Sequence, residues 1–292
     1  MTESALDAFQ AVRPRLFGIA YRMLGSASAA EDLVQDAWLR WQGADRDAVR
    51  EPAAFLATTV TRLALTELDS ARMRRETYVG PWLPEPVLTT PDDPALGAER
   101  AEALSLAVLL LLERLSPAER AAFVLHEAFG YPFRQIAEVL EISEANARQL
   151  ARRARQHLDR ERAAPVPAAE QRRLLEAFVA AAQQGDLEAL EAVLAEDVMA
   201  LSDGGGVVTA ARKPVLGRAR VAQFLLGVIE KFTRGMEQVP VLLNGGVGFL
   251  GIRDGAVVAA WTVEIGPEGI TRFLNVLNPS KLSHLAVPSG RS

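Results

Sequence analysis

The residues best suited to chemistry in this chain are arginines. Arg148, Arg152 and Arg155 recur at i, i+4 and i+7 with Gln149 and Arg153 beside them, so they share one side of a helix. A guanidinium fork matches phosphate oxygens and the O6/N7 edge of guanine, and such a stripe grips a polyanion in a groove. A solvated charged face on a bundle helix has the same spacing. Groups suited to bond making are scattered: Asp203 in a glycine-rich stretch, Glu264 in an alternating run, His284 near the end, and the His126-Glu127 pair. Acid–base catalysis needs a poised group beside an oxyanion donor. Lone carboxylates are usually solvated surface groups.

The elements that must position the stripe are legible around it. Ala147, Leu150, Ala151, Ala154 and Leu158 form the buried face of the same helix. Upstream, Ile136, Ala137 and Leu140 make one apolar edge of a shorter helix, and Glu141-Ile142-Ser143 is a tight connection. Ser143 is suited to cap the second helix, and Glu144 in its first turn suits the dipole. Two helices joined in this way look like a helix-turn-helix, whose second helix enters the major groove.

The chain has 292 residues and a net charge of −5, so any nucleic-acid surface must be local. At about 100–200 residues per domain, two or three compact units are expected. Cysteine is absent, which excludes disulfides, thiol catalysis and cysteine–zinc sites. The Met-Thr-Glu-Ser start has neither a basic nor an apolar leader region, and no apolar run approaches the roughly 18 residues of a membrane helix. A cytoplasmic protein without a membrane partner is expected.

Periodicity divides the rest. Residues 5–76 read as helices: Phe9, Val12, Leu16, Ile19 and Met23 lie on one face of the first, Ser28 is expected to cap the second, and the third starts after Pro52 and ends in Arg72, Arg74 and Arg75. From Val79 to Pro94 five prolines mark a linker, and its Trp82, Leu83, Val87 and Leu88 suit docking on a partner surface. Helices resume at Leu96. Residues 103–115 are apolar nearly all round, and Ser116-Pro117-Ala118-Glu119 signals another helix start. After a short linker at 163–167 come two helices, the second running through Leu194. A helix at 217–232 precedes strands alternating from Val257 to Ile265, with Asp254-Gly255 as a hairpin turn. This gives a region at 1–78, a linker at 79–95, a helix-turn-helix region at 96–162 and an α+β domain at 168–292.

In this order, DLVQDAWLRW (32–41), a proline-rich linker and SPAERAAFVLHEAFGYPFRQIAEVLEISEANARQLARRAR (from Ser116) resemble the bacterial extracytoplasmic-function sigma factors. These are RNA polymerase initiation factors with two all-α domains, region 2 and region 4. The last segment resembles the SnoaL-like, or NTF2-like, α+β fold, as in the SigJ-like subgroup. Trp82-Leu83-Pro84-Glu85-Pro86, Asp203-Gly204-Gly205-Gly206 and Asn278-Pro279-Ser280-Lys281-Leu282 resemble its WLPEP, DGGG and NPDKL motifs. Ser280 replaces the usual Asp, and Val207 stands where a Lys commonly follows. Thr61 to Thr66 departs from region 2's usual Arg-Asn-x-x-x-Asp pattern.

The resemblance implies binding rather than catalysis, and no metal or cofactor. It assigns Asp32, Leu33, Gln35, Asp36, Trp38 and Leu39 to core polymerase, through the beta and beta-prime subunits. It assigns Arg62, Glu67, Arg72, Arg74 and Arg75 to the minus-ten element. Glu144, Asn146, Arg148 and Gln149 would reach base edges of the minus-thirty-five element, with Arg152, Arg153 and Arg155 on phosphates. Trp82 to Pro86, Asp203, Gly204, Gly205, Asn278, Pro279 and Lys281 would form regulatory interdomain contacts, and a small ligand would fit a SnoaL-like pocket. Two alternatives stay open: a SnoaL-like isomerase, cyclase or ligand sensor fused to a helix-turn-helix, and a dimeric repressor on a palindromic operator.

Overall fold

A computed structural model describes residues 5–90, 104–161, 164 and 166–287, without the side chains of Asp69, Arg72, Met73 and Arg74. Two compact units are present: Met1–Thr77 with Thr89–Glu161, and Tyr78–Leu88 with Arg162–Ser292.

The first unit is helical. Its helices are α1 (Ala5–Leu24), α2 (Ala27–Gln42), α3 (Pro52–Glu76), α4 (Leu106–Leu112), α5 (Pro117–Phe123), α6 (Phe133–Leu140) and α7 (Glu144–Glu161). Gly25 at φ 66° stops α1, and the adjacent Ser26, not Ser28, caps α2 by accepting from the Ala29 amide at 3.1 Å. The glycine stop fixes where the next helix can begin, so the expectation for Ser28 was displaced by two residues. Ser116 and Glu119 form a full capping box on α5, with Pro117 at its first position. A single π-helical turn, Val124–Ala128, continues α5. The all-round apolar stretch is helical over Leu106–Leu112, and six of those seven residues are buried. The expected restart at Leu96 lies outside the described residues.

The second unit packs α8 (Ala168–Gln184), α9 (Leu187–Val193) and α10 (Arg218–Phe232) against a mixed sheet. The strands are β1 (Leu194–Asp203), β2 (Val215–Leu216), β3 (Glu237–Leu243), β4 (Gly246–Arg253), β5 (Ala256–Gly266) and β6 (Gly269–Val276), in the order β2-β1-β6-β5-β4-β3. Leu194 begins β1 rather than ending α9, because Asp186 caps a helix that stops at Val193. β1 and β6 are parallel, placing Asp203 opposite Val276 at one edge of the domain. Leu174, Phe178, Leu190, Val198, Leu225 and Phe273 lie at the heart of its core.

Candidate nucleic-acid interface and linker clamp

The turn between α6 and α7 uses Glu141 in the left-handed region (φ 56°), and the Ser143 hydroxyl accepts from the Asn146 amide at 3.2 Å. Ile136, Ala137, Ala147, Leu150, Ala151, Ala154 and Leu158 are buried beneath this motif. Asn146, Arg148, Gln149, Arg152, Arg153 and Arg155 are exposed along one side of α7, and Glu144 is half-buried. Carboxylates on the same unit order several of these arginines. Arg148 pairs with Glu144, Arg155 with Glu127, and Arg153 with Glu119 at 3.3 Å. Burial raises the affinity of Glu119 for its proton, but hydrogen bonds from Ser116 and the charges of Arg153 and His157 outweigh it and hold the carboxyl below its usual range.

On α2, Asp32, Gln35, Asp36 and Leu39 are exposed at i, i+3, i+4 and i+7, with Leu39 57% exposed. Trp38 is half-buried against Phe9, its ring 4.9 Å away. Leu33 lies beneath this face at 8% exposure, on the side of α2 that packs the helical core.

The basic end of α3 is not uniformly presented to solvent. Arg75 turns inward, donating to the Leu24 carbonyl at 2.6 Å and pairing with Glu113. Arg62 donates through Nε to the Val139 carbonyl (3.1 Å) and through Nη2 to the Glu138 carbonyl (3.2 Å). Glu67 is half-buried on the same helix, and the side chains of Arg72 and Arg74 lie outside the described residues. Arg120 is buried, and desolvation lowers its pKa to about 10. Its Nη1 donates to the Met23 carbonyl at 2.6 Å and to Glu113 at 2.8 Å. Arg120, Glu113 and Arg15, whose guanidinium donates to the Phe129 carbonyl at 2.7 Å, were not anticipated from the sequence, because a lone charge within or at the end of a helix reads as solvated until its neighbours in space are known.

In the second unit the three short motifs meet. Asp203, fully buried, accepts hydrogen bonds from the Tyr78 hydroxyl (2.6 Å), the Leu83 amide (2.8 Å), the Gly205 amide (3.1 Å) and Lys281 Nζ (2.7 Å). Lys281 Nζ also donates to the Leu83 carbonyl at 2.5 Å and lies 4.4 Å from the Trp82 ring centre and 4.8 Å from that of Tyr78. Asn278 Nδ2 donates to the Tyr78 hydroxyl at 2.7 Å, and Pro279 starts the short 3-10 turn that carries Lys281 inward. Burial, then the bond to Asp203, raise the Tyr78 pKa above its usual value. Leu83, Pro84, Glu85 and Pro86 are buried, and the His284 ring donates to the Pro86 carbonyl at 2.8 Å. Val87 exchanges two hydrogen bonds with Asn244, and Leu88 forms a single antiparallel bridge with Leu243 at the end of β3. Gly204 cannot carry a side chain, since a Cβ there would sit 2.6 Å from the Val208 carbonyl. Tyr78 and Asn244 were missed. The Asn244-Gly245 dipeptide carried the signal, as a two-residue hairpin turn with both φ positive.

This geometry removes the acid–base candidates one by one. Asp203 is saturated with donors, Glu264 pairs with Arg272 at 2.7 Å, and His284 is spent on a backbone carbonyl. Among the described residues no group of three or more His, Asp or Glu could hold a metal, and no helix is long and apolar enough to cross a membrane.

The Sigma-70 region 2 family matches residues 8–74, and the Sigma-70 region 4 family matches residues 105–158. The ECF RNA polymerase sigma factor SigJ of Mycobacterium tuberculosis is 39% identical over 286 residues, spanning 88% of this chain and 91% of the relative. The chain belongs to the extracytoplasmic-function sigma factors. The probable ECF RNA polymerase sigma factor SigI of the same organism is 34% identical, over 97% of this chain and 96% of its own length. The crystal structure of M. tuberculosis SigJ superposes with a TM-score of 0.76 at 34% identity, covering 95% of this chain and 98% of that one. This sigma factor is thus a transcription factor rather than an enzyme, with two helical sigma regions followed by an α+β domain built on a six-stranded mixed sheet.

Proposed function

We propose that this chain directs core RNA polymerase to promoters through three surfaces, and that its SnoaL-like domain acts on them in cis. The exposed row Asp32, Gln35, Asp36 and Leu39 docks on the clamp of the beta-prime subunit, where an acidic, amide and apolar face suits a basic coiled coil. Contacts with the beta subunit complete the holoenzyme. The end of α3, with Arg62, Glu67, Arg72 and Arg74, engages the opened minus-ten strand, where basic side chains hold phosphates while a pocket takes a base; Arg75, held inward by the Leu24 carbonyl and Glu113, is left out of this surface. The start of α7 reads the minus-thirty-five element through Glu144, Asn146, Arg148 and Gln149, while Arg152, Arg153 and Arg155 hold phosphates. The observation that carries this reading is the exposed arginine side of α7 above a fully buried one.

Promoter-dependent transcription by the full chain with core polymerase is the direct test. Arg148→Ala should weaken promoter binding by about 1–3 kcal/mol with relaxed preference at one position. An equal loss on every sequence would reassign Arg148 to a phosphate.

The cis action rests on the clamp. Residues 78–88 stand between the two sigma regions in sequence, and they are bound into the SnoaL-like domain through Asp203, Lys281, Asn278 and Asn244. Fixing part of the linker shortens the free tether between region 2 and region 4, which sets their effective concentration on DNA. Unchanged transcription by Asp203→Ala, with the clamp shown to be open, would remove this role.

One observation favours a small ligand in the same domain. Asn275, 7% exposed on the β6 face that carries Phe273 and directly across from Trp261, has a side-chain oxygen with no hydrogen-bond partner. A ligand there would be an apolar body bearing one donor. If Asn275→Leu stabilises the protein and leaves transcription unaltered, this ligand reading falls.

A further inference from the structure

Between Asp203 and Glu230 the chain holds Arg212, Lys213, Arg218 and Arg220 and no acidic residue, in a protein whose net charge is −5. All four residues are exposed. Arg212 and Lys213 sit in the loop between β1 and β2, and Arg218 and Arg220 lie in the first turn of α10. Cations there oppose the helix dipole, so the fold gains nothing locally from their charge. Arg218 Nε donates to the Leu194 carbonyl at 2.9 Å, a bond that fixes the guanidinium without using its two terminal nitrogens. Among the described residues no carboxylate pairs with any of the four, although Glu196 and Asp197 are exposed on the neighbouring β1. On α7, by contrast, Arg148, Arg153 and Arg155 each face a carboxylate of their own unit. Four unneutralised cations on one loop and one helix suit a polyanion of repeating charge, and duplex DNA presents one phosphate per 3.4 Å along each strand.

The same loop is held beside the linker. A Cβ on Gly206 would sit 3.0 Å from the Val79 Cβ, and one on Gly80 would sit 3.8 Å from the Arg212 Cα. Gly80 follows Glu76, the last residue of α3, by four residues. With 3.8 Å between consecutive Cα atoms, that span is at most about 15 Å. Covalent connection therefore keeps Arg212 within roughly one helical turn of DNA, about 35 Å, from the end of α3.

We propose that Arg212, Lys213, Arg218 and Arg220 form a further, sequence-independent DNA contact that grips the phosphate backbone of the duplex flanking the minus-ten element. The contact sets the C-terminal domain on the promoter and adds affinity without reading bases. Its location rests on the assignment of α3 to the minus-ten element under Proposed function. An acidic protein surface would offer the same sign of charge, and the two partners give opposite results in the test.

Holoenzyme assembled from the full chain and core polymerase is titrated with a duplex promoter fragment at several salt concentrations. Each phosphate contact contributes about 0.9 to the slope of log affinity against log salt. The double variant Arg212→Ala, Lys213→Ala should make that slope shallower by about 1.8, at unchanged core binding. Lys231→Ala, which removes an exposed charge from the last turn of α10, should leave the slope at the wild-type value. An unchanged slope in the double variant, or an equal change in Lys231→Ala, would overturn the contact. Weaker core binding by the double variant at an unchanged slope would overturn it in favour of an acidic protein partner. Position is read separately. The chain has no native cysteine, so Lys213→Cys can carry an iron chelate attached before core is added. Cleavage of promoter DNA within about ten base pairs of the minus-ten element is expected, and cleavage confined elsewhere would overturn the placement. If Arg148→Ala relaxes promoter preference while the double variant changes nothing, this inference alone falls. A wild-type holoenzyme that binds promoter and random duplex equally would overturn the sigma reading beneath it as well.

Discussion

The two sigma regions meet, and the linker meets the C-terminal α+β domain, through cationic side chains, yet the two contacts differ in how completely those cations are buried and satisfied. In the clamp, Lys281 has a carboxylate, a carbonyl and two aromatic rings, and Asp203 accepts from four donors. Between region 2 and region 4, Arg120 is buried with its Nε lacking a partner, and Arg62 is 47% exposed on its side chain. A buried charge with every bond made is costly to separate, whereas one with a bond missing loses less when water returns. The contrast assigns permanence to the clamp and reversibility to the contact between sigma regions.

The largest expected effect breaks the clamp. Asp203→Ala leaves the Lys281 charge buried without its counter-ion and should destabilise attachment of residues 78–88 by about 3–5 kcal/mol. Hydrogen exchange of the Leu83 amide measures it. A smaller loss in Asp203→Ala, Lys281→Met than the sum of the two single changes would show the two groups acting as a pair. Exchange at Leu83 that stays at the wild-type rate in Asp203→Ala would mean the clamp is not held by this carboxylate.

Next in size is Gly205→Ala. Gly205 has φ 61°, and a Cβ there would sit 2.2 Å from Asn278 Nδ2, the group that donates to Tyr78. A cost of about 1–3 kcal/mol is expected at such a position, read as faster proteolysis near Tyr78. The same change at Gly185, where nothing lies within 4 Å of the added carbon, meets only the φ strain at 69° and should cost less.

The sequence made the helix-turn-helix legible in full, since the apolar face of α7 and the Ser143 cap are local signals of fixed period. The exposed row on α2 was equally visible, because charge and amide groups recur at helical spacing opposite Ala37 and Trp41. The clamp was visible only as motifs: Asp203 and Lys281 are 78 residues apart, and neither periodicity nor composition says that they touch. The arginine contacts between regions left no trace at all. Arg15 and Arg120 sit in helices whose patterns are satisfied without them, and a backbone carbonyl as partner has no residue identity to recognise. Arg75 looked like part of a basic tip for the same reason, and only packing against α1 and Glu113 turned it inward.

The smallest expected effect separates the two contacts by salt. The Arg62–Glu141 pair has side chains 47% and 75% exposed, so ions reach it, while Lys281 and Asp203 are 8% and 0% exposed. Raising ionic strength from about 0.1 to 1 M shortens the Debye length from roughly 10 to 3 Å. The exposed pair should weaken by no more than about 1 kcal/mol, and buried pairs far less. Amide exchange at the Glu141–Ile142 turn should therefore quicken with salt while exchange at Leu83 holds constant. If both quicken together, the clamp shares the screened character of the exposed pair and the distinction between permanent and reversible contacts fails.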